Sequence, residues 1–544
     1  MFFETMLTRQ RIDELTASGV WTNEHLGTRF LTKAATRAGE PLIIDRYGTV
    51  TWGQAVDIVD RLAKGLLELG VRPGQVVQLQ LTNRREFPLA VLALERIGAV
   101  VNPVAPIFRA NEVSVMSELG KPTTVITVDE FRNFQLAAMH VELSQSCPWV
   151  DNIIVVGGDA GTDGDLPPDT LGWHEVLALG ARSALTDQAV GLATPSPDDV
   201  CEVMFTSGTT GQPKGVMHTQ NTINVAADLF LERIAPDCSV FHMASTLAHQ
   251  TGYLYGIRAP ISAGGRIVYQ EVWDPSEFAT LIAAHGIEAS MGATPFLADL
   301  LALDDLDQHD LSSFKAFVCA GATIPRPVLE QARDRLPCTV MPGWGMTEAG
   351  LSTTGRRDDV FDKLATDGIA VDGNEVRVVD DDGSQVEAGT EGDLQFRGSQ
   401  AFVGYIQGRE MSEACWPDGW FDTGDRAVMD ADGFISISGR TKDLVIRGGE
   451  NVPVKEVEDV LLRHPSVQGV AVIAKPHERL GEIGCAVIIA NGEAPTLTLL
   501  TEFLASQDVT RQFWPEELHV VEEFPMTPSG KIQKFRLRQL VLGQ

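Results

Sequence analysis

The chain has 544 residues, 44% of them apolar and 22% charged, with 43 basic and 74 acidic side chains for a formal charge of −31. That length exceeds what one ordinary hydrophobic core serves, so two or more domains are expected. So acidic a balance excludes DNA, RNA or an anionic membrane as the general partner, although a local cluster of Lys, Arg and N–H groups can still hold a nucleotide. Seven cysteines, at 147, 201, 238, 319, 338, 415 and 485, form no CxxC, a pattern expected of a reducing cytoplasm. MFFETMLTRQRIDEL carries charge from its first residues and has no signal-peptide apolar core. No run approaches the ~20 apolar residues of a spanning helix; the best candidate, Leu89 to Phe108, is broken by Glu95 and Arg96.

In chain order, Trp52 to Gly70 reads as an amphipathic helix. Val56, Val59, Leu62, Ala63, Leu66 and Leu67 recur at helical spacing, and Gly70 stands at the C-cap position. Val76 to Leu81 follows as a strand, Phe87 to Ile97 as a helix, Ala99 to Val104 as a strand, Asn111 to Leu119 as a helix and Thr123 to Val128 as a strand. This alternation predicts a parallel sheet covered on both faces. Asp151 to Val156 adds a strand, and Gly157 to Asp169 is a surface loop rich in Gly, Asp and Pro. Further strands at Ile267 to Tyr269, Ile287 to Met291 and Phe314 to Cys319 predict a second doubly wound layer. From Gly368 the texture changes to short strands with turn signals, NEVRVVDDDGS, GDLQFRG and FISISGR, as in a small antiparallel barrel or sheet. A small α+β unit closes the chain, with helices at Pro453 to Arg463 and Leu497 to Ala505 and strands at Val467 to Ala474 and Cys485 to Ile489.

One stretch organises the rest: TSGTTGQPKG, Thr206 to Gly215, between the apolar run Val200 to Phe205 and Val216–Met217–His218. Its glycines let the backbone approach a ligand closely. Its hydroxyls and successive N–H groups suit phosphate oxygens, and Lys214 adds a positive charge. Triphosphate binding is the natural reading, against a flexible Gly/Thr linker. The stretch does not fit Walker A, because Pro213 stands five after Gly208, and Ser207 lacks the G-x-S-x-G elbow of a hydrolase.

TSGTTGQPKG resembles the phosphate-binding signature of the adenylate-forming superfamily, which includes acyl-CoA synthetases, luciferases and peptide-synthetase adenylation domains. GWGMTE at 343–348, WFDTGD at 420–425, GRTKD at 439–443 and PSGK at 528–531 stand in that family's order, so the resemblance spans essentially the whole chain. It implies an α/β fold: a large N-terminal domain, 1–441, of two doubly wound αβ subdomains plus a small β-barrel, and a smaller hinged α+β lid, 442–544. The implied substrates are ATP, a small carboxylic acid and coenzyme A, with Mg²⁺. No nucleic acid, no membrane span and a cytoplasmic monomer or homodimer are expected.

The site residues follow from the same resemblance. Thr206, Ser207, Gly208, Thr209, Thr210, Gly211 and Lys214 would hold phosphates. Glu348 would bind the metal with Thr206, flanked by Gly345 and Thr347. Trp344 would stack on adenine beside Gly321 and Ala322, Asp425 would accept from the ribose hydroxyls, and Arg440 would reach the ribose or the α-phosphate. Lys531 would bridge carboxylate and α-phosphate, then leave. Lys442 occupies the hinge position, whose swing would bring Arg447, Gly448, Gly449 and Glu450 to the site to line a pantetheine tunnel; a tight β-hairpin would also use RGGEN. His249 aligns with the family's gate beside the carboxylate, although a lone histidine in an apolar stretch also suits a satisfied core. Gly252, Gly292, Ala293 and Ala322 are small residues at positions lining the acyl pocket. The texture of HQTGYLYG looks most like ligases for medium-chain and alicyclic acids of the cyclohexanecarboxylate type. The rivals are an acyl- or aryl-AMP ligase loading a separate carrier protein, and a non-catalytic nucleotide-binding regulator.

Overall fold

The computed structural model describes residues 3–157, 163–186, 190, 195–206, 213–321, 324, 326–416, 419–440, 445–447, 450–477, 480–507, 509–527 and 531–543. Helix Trp52–Glu68 shows how closely local chemistry sets an element. Thr51 accepts the Gln54 N–H while Gln54 accepts the Thr51 N–H, a reciprocal cap on two otherwise orphaned donors. Ala55, Val59, Leu62, Ala63 and Leu66 form the buried face, and Gly70 ends the run at φ +93°.

The first sheet has eight strands. Val76–Gln80 pairs in parallel with Val100–Pro103 and Thr124–Val128, and Thr124–Val128 with Asn152–Val156. Val200–Thr206 joins in parallel beside Val100–Pro103, and Lys214–Thr219 then turns back antiparallel. Helix Glu86–Arg96 is buried from Glu86 to Glu95. The Leu89 to Phe108 run is therefore an interior helix followed by the buried strand Val100–Pro103. Among the described residues no helix is long and apolar enough to cross a membrane.

The second sheet has nine strands. Val240–Met243, Arg266–Val268, Ala289–Gly292, Ala316–Ala320 and Thr339–Met346 form its parallel centre. The hairpin Pro41–Asp45 and Gly48–Thr51, which sequence reasoning missed, extends one edge. It pairs with Arg266–Val268, a partner far along the chain that no local pattern announces. One apolar cluster, from Leu26 to Val403, runs through both layers.

The turn-rich part folds as a four-stranded antiparallel sheet in the order Asn374–Val379, Glu391–Gly398, Phe421–Met429, Ile435–Arg440. The C-terminal unit is a mixed sheet with helices Val454–Leu461 and Leu497–Ser506 on one face. Leu537 of helix Lys534–Leu542 belongs to the apolar cluster on the other face. Sequence reasoning does not pick out that last helix, because one buried leucine leaves little periodicity. Of the loop expected at Gly157 to Asp169, residues 158–162 lie outside the described residues; beyond them Asp163 accepts the His174 and Glu175 N–H groups. All seven cysteines are free thiols.

Candidate active site

Phosphate-stretch residues Thr206 and Lys214 end two antiparallel strands and face each other in register. Ser207, Gly208, Thr209, Thr210 and Gly211 lie outside the described residues. Lys214 Nζ sits 4.9 Å from the centroid of the Tyr405 ring.

GWGMTE enters along strand Thr339–Met346 and is anchored at three points. The Trp344 indole N–H donates to Asp425 Oδ2 at 2.8 Å. His218 Nε2 lies 2.8 Å from the Thr347 carbonyl, and since a carbonyl only accepts, that nitrogen carries the proton. The Phe402 N–H donates to the Glu348 carbonyl at 2.8 Å. Burial pushes His218 down to about 4, which keeps the ring neutral. The Glu348 side chain is 6% exposed and accepts the Tyr405 hydroxyl on Oε1 at 2.9 Å. Trp344 is 7% exposed and packed among Ala349, Leu394 and Phe396, so besides any wall it offers adenine it orients Asp425, a role the sequence did not show. Gly345 lies at a register shift in its ladder. Asp425 faces Arg440 across a strand pair; the Arg440 side chain lies outside what is described.

At the end of strand Ala316–Ala320, Gly321 adopts φ +89°. A Cβ there would lie 3.2 Å from Lys531 Cε and 4.0 Å from Nζ. The glycine therefore lets the C-terminal unit's lysine lie along the strand end, in the crevice beyond the carboxyl ends of a parallel sheet. Its backbone is tied by Lys531 N–H to Thr527 Oγ1 at 3.0 Å and Thr527 N–H to the Lys531 carbonyl at 2.7 Å. Two long ion pairs, Arg536–Glu112 at 3.7 Å and Lys455–Asp367 at 3.7 Å, link the C-terminal unit to the rest.

His249 caps helix Gln250–Tyr253, with Nδ1 accepting from the Thr251 N–H at 3.4 Å. Burial and then the Lys531 charge push it down to about 4, so the imidazole beside the lysine is neutral. A five-residue π-helix, Leu254–Arg258, continues from that helix, a distortion frequent at functional sites.

Two of the expected pocket residues behave differently. A Cβ on Gly252 would strike the Thr246 carbonyl oxygen at 2.1 Å. Its smallness serves close packing of its own loop, and it faces backbone rather than an acyl group. A Cβ on Gly292 would meet Phe296 at 2.9 Å and Ala244 at 3.1 Å, so Phe296 fills space the sequence assigned to substrate. Ala293 is 2% exposed at the start of helix Thr294–Leu301. Ala322 lies outside the described residues, as do Lys442, Gly448 and Gly449. Arg447 pairs with Glu516, Nε to Oε1 at 2.6 Å, and stands opposite Glu450 in the hairpin that RGGEN also allowed. His218, Tyr405 and Gln407 were missed. His218 follows the phosphate stretch within GVMHT, a signal that was available; Tyr405 and Gln407 come from a distant short strand and the turn after it.

This crevice, with a lysine of the smaller unit beside it, belongs to an adenylate-forming ligase, as the family match shows. The chain belongs to the AMP-binding enzyme family, whose profile matches residues 30–406, with the family's C-terminal domain matching residues 456–531. It is 32% identical over 530 residues to the medium-chain fatty-acid–CoA ligase of Escherichia coli K12, covering 96% of this chain and 92% of that protein. It is 31% identical over 545 residues to a salicylyl-CoA synthase/salicylate adenylyltransferase of a Streptomyces species, covering 98% and 97%. Among solved structures, the anthranilate CoA ligase AuaEII with anthranoyl-AMP shares the fold at TM-score 0.85 and 23% identity, covering 96% of this chain and 98% of that one.

Proposed function

We propose that the protein is an AMP-forming acyl-CoA synthetase acting on medium-chain or alicyclic carboxylic acids. The observation that carries this reading is Lys531 lying against Gly321 with its charge felt by neutral His249. A cation there meets the two groups that must approach each other, the acid's carboxylate and the α-phosphate. The carboxylate oxygen attacks the α-phosphorus and the bond to pyrophosphate breaks. Lys531 offsets the charge that gathers on the phosphoryl oxygens. Coenzyme A sulfur then attacks the acyl carbon and AMP leaves. This second step needs the approach that Lys531 occupies, hence a swing at Lys442 that brings Arg447 and Glu450 forward.

The donor set at Glu348 suits a hard cation. The buried carboxylate and the Thr206 hydroxyl offer only oxygen, and they would hold Mg²⁺, which supplies charge neutralisation on the phosphates when bound. Asp425, oriented by Trp344, would take the ribose hydroxyls. The medium-chain activity named for the Escherichia coli relative supports the chain-length reading. The salicylyl-CoA synthase and salicylate adenylyltransferase activities named for the Streptomyces relative favour, as a second reading, an aryl-acid ligase; an acceptor thiol on a separate carrier protein is the rival form of that reading.

The test is AMP release with ATP and coenzyme A across acetate, butyrate, hexanoate, octanoate, palmitate, benzoate, salicylate and cyclohexanecarboxylate. Highest kcat/KM is expected for acids of intermediate size, since each buried CH₂ adds about 0.8 kcal/mol. Acetate or palmitate at the head of that order would overturn the medium-chain or alicyclic reading. Adenylation of salicylate with no thioester from coenzyme A alone would move the protein to the second reading.

A further inference from the structure

The short strand Gly404–Tyr405 and the two residues after it contact Lys214 and the main chain on either side of it. Gly404 and Tyr405 pair antiparallel with Met217 and Val216, on the strand that leaves the phosphate stretch. The Ile406 N–H donates to the Gly215 carbonyl at 2.8 Å. The Gln407 amide spans Lys214: its Nε2 donates to the Pro213 carbonyl at 2.8 Å and its Oε1 accepts the Gly215 N–H at 3.2 Å. The main chain on either side of Lys214 is thus pinned by one side chain, while its ammonium lies over the Tyr405 ring. The same tyrosine donates its hydroxyl to Glu348.

Tyr405 is itself immobilised. It is 1% exposed, its N–H donates to Ser412 Oγ at 2.8 Å, and its ring meets Phe402 at 4.8 Å between centroids. A rigid aromatic between a cation and a carboxylate fixes the separation of the two charges.

We propose that Tyr405 and Gln407 are positioning residues for the nucleotide: Tyr405 sets Glu348 relative to Lys214, and Gln407 holds the outgoing end of the phosphate stretch. This rests on reading Thr206–Gly215 as the phosphate-binding stretch and Glu348 as the metal ligand. The two side chains then have separable signatures. Tyr405 acts through the carboxylate and governs how much Mg²⁺ nucleotide binding requires. Gln407 acts through the loop backbone and governs nucleotide affinity at saturating Mg²⁺. Neither governs the acid or the second half-reaction, whose substrate, acyl-AMP, has no β- or γ-phosphate.

The experiment is equilibrium displacement of a fluorescent ATP analogue by ATP, titrated with Mg²⁺, on the full-length protein, Tyr405→Phe and Gln407→Leu. KM for the acid, thioester formation from supplied acyl-AMP and nucleotide-free Tm are measured beside it. Tyr405→Phe should raise the half-saturating Mg²⁺ by about 10- to 100-fold, the scale for losing a group that orients a metal ligand. Gln407→Leu should weaken ATP by about tenfold, the scale of losing two hydrogen bonds, with an unchanged Mg²⁺ midpoint. Acid KM, the acyl-AMP reaction and Tm should hold in both. Unchanged binding in both variants, or an equal fall in both half-reactions, would overturn the proposal while the ligase reading stands. A wild-type protein that binds no nucleotide would overturn that reading and the proposal with it. If Tyr405→Phe does not fold, Gln407→Leu decides alone.

Discussion

Lys531 and Trp344 illustrate two kinds of site residue. In the proposed mechanism Lys531, which lies against Gly321, brings its own charge to one half-reaction and leaves the site for the other. Lys531→Ala should lower acyl-AMP formation by roughly 10²-fold or more, the scale of one preorganised charge donor, and spare thioester formation from supplied acyl-AMP. Stopped-flow assay of each half-reaction checks this, and an equal loss in both would contradict a divided role. Trp344 works through Asp425, since its N–H donates to Oδ2. Trp344→Phe retains an aromatic ring and removes that donor, so KM for ATP should rise by about tenfold, the scale of a hydrogen bond to a charged group, with KM for the acid unchanged. A rise in the acid KM instead would mean that the ring serves the acyl side.

At the scale of elements, the helical stretch from His249 to Arg258 is held by a buried polar network. Arg258, fully buried, donates to Glu95, to Gln220 Oε1 at 2.6 Å and to Asn224 Oδ1 at 2.7 Å. Glu95 also accepts the Tyr253 hydroxyl at 3.3 Å, so helix Glu86–Arg96 of the first αβ layer is tied to the helix that His249 caps. Glu95→Ala leaves the guanidinium buried without its counter-charge and should cost about 3–5 kcal/mol, measured as a fall in urea midpoint. Glu202, on the strand leading to the phosphate stretch, accepts from Gln250 at 3.3 Å, and burial pushes its carboxyl up to about 8. The folded state therefore holds a proton there that the unfolded chain releases near pH 4.5. The stability this group contributes is present below that pH and is lost as pH rises towards 8. Glu202→Gln should thus gain relative to wild type between pH 6 and pH 8, and a constant difference across that range would place Glu202 outside the titrating set.

For the whole molecule, buried neutral histidines contribute to the acid side of the stability profile. His140, His218 and His249 are each pushed down to about 4, and His242 to about 3, first by burial. The unfolded chain takes up protons near pH 6.5 that the folded chain refuses, so their stability is present above that pH and lost as pH falls to 3–4. Each contributes a slope of about 1.4 kcal/mol per pH unit within its window. Urea midpoints between pH 7 and pH 4.5 should fall steeply, and His140→Gln should flatten the profile by about one such slope. An unaltered profile in that variant would show that other groups dominate.

Local pattern determined most of the elements. The helix from Trp52 carries its own cap and periodicity, and the strands around it are short apolar runs between turn signals, so each reads without knowledge of its neighbours. Ordered motifs determined the family, because loops that hold phosphates need particular residue types in a particular order. Tertiary structure alone decided what depends on partners far along the chain. It paired Pro41–Asp45 with Arg266–Val268, set Glu95 against Arg258, laid Lys531 along Gly321 and put Tyr405 between Lys214 and Glu348. It also turned Gly252 towards the backbone of Thr246 and placed Phe296 beside Gly292. A small residue in a sequence says that something comes close, and only the packed chain says whether that neighbour is a ligand or the protein itself.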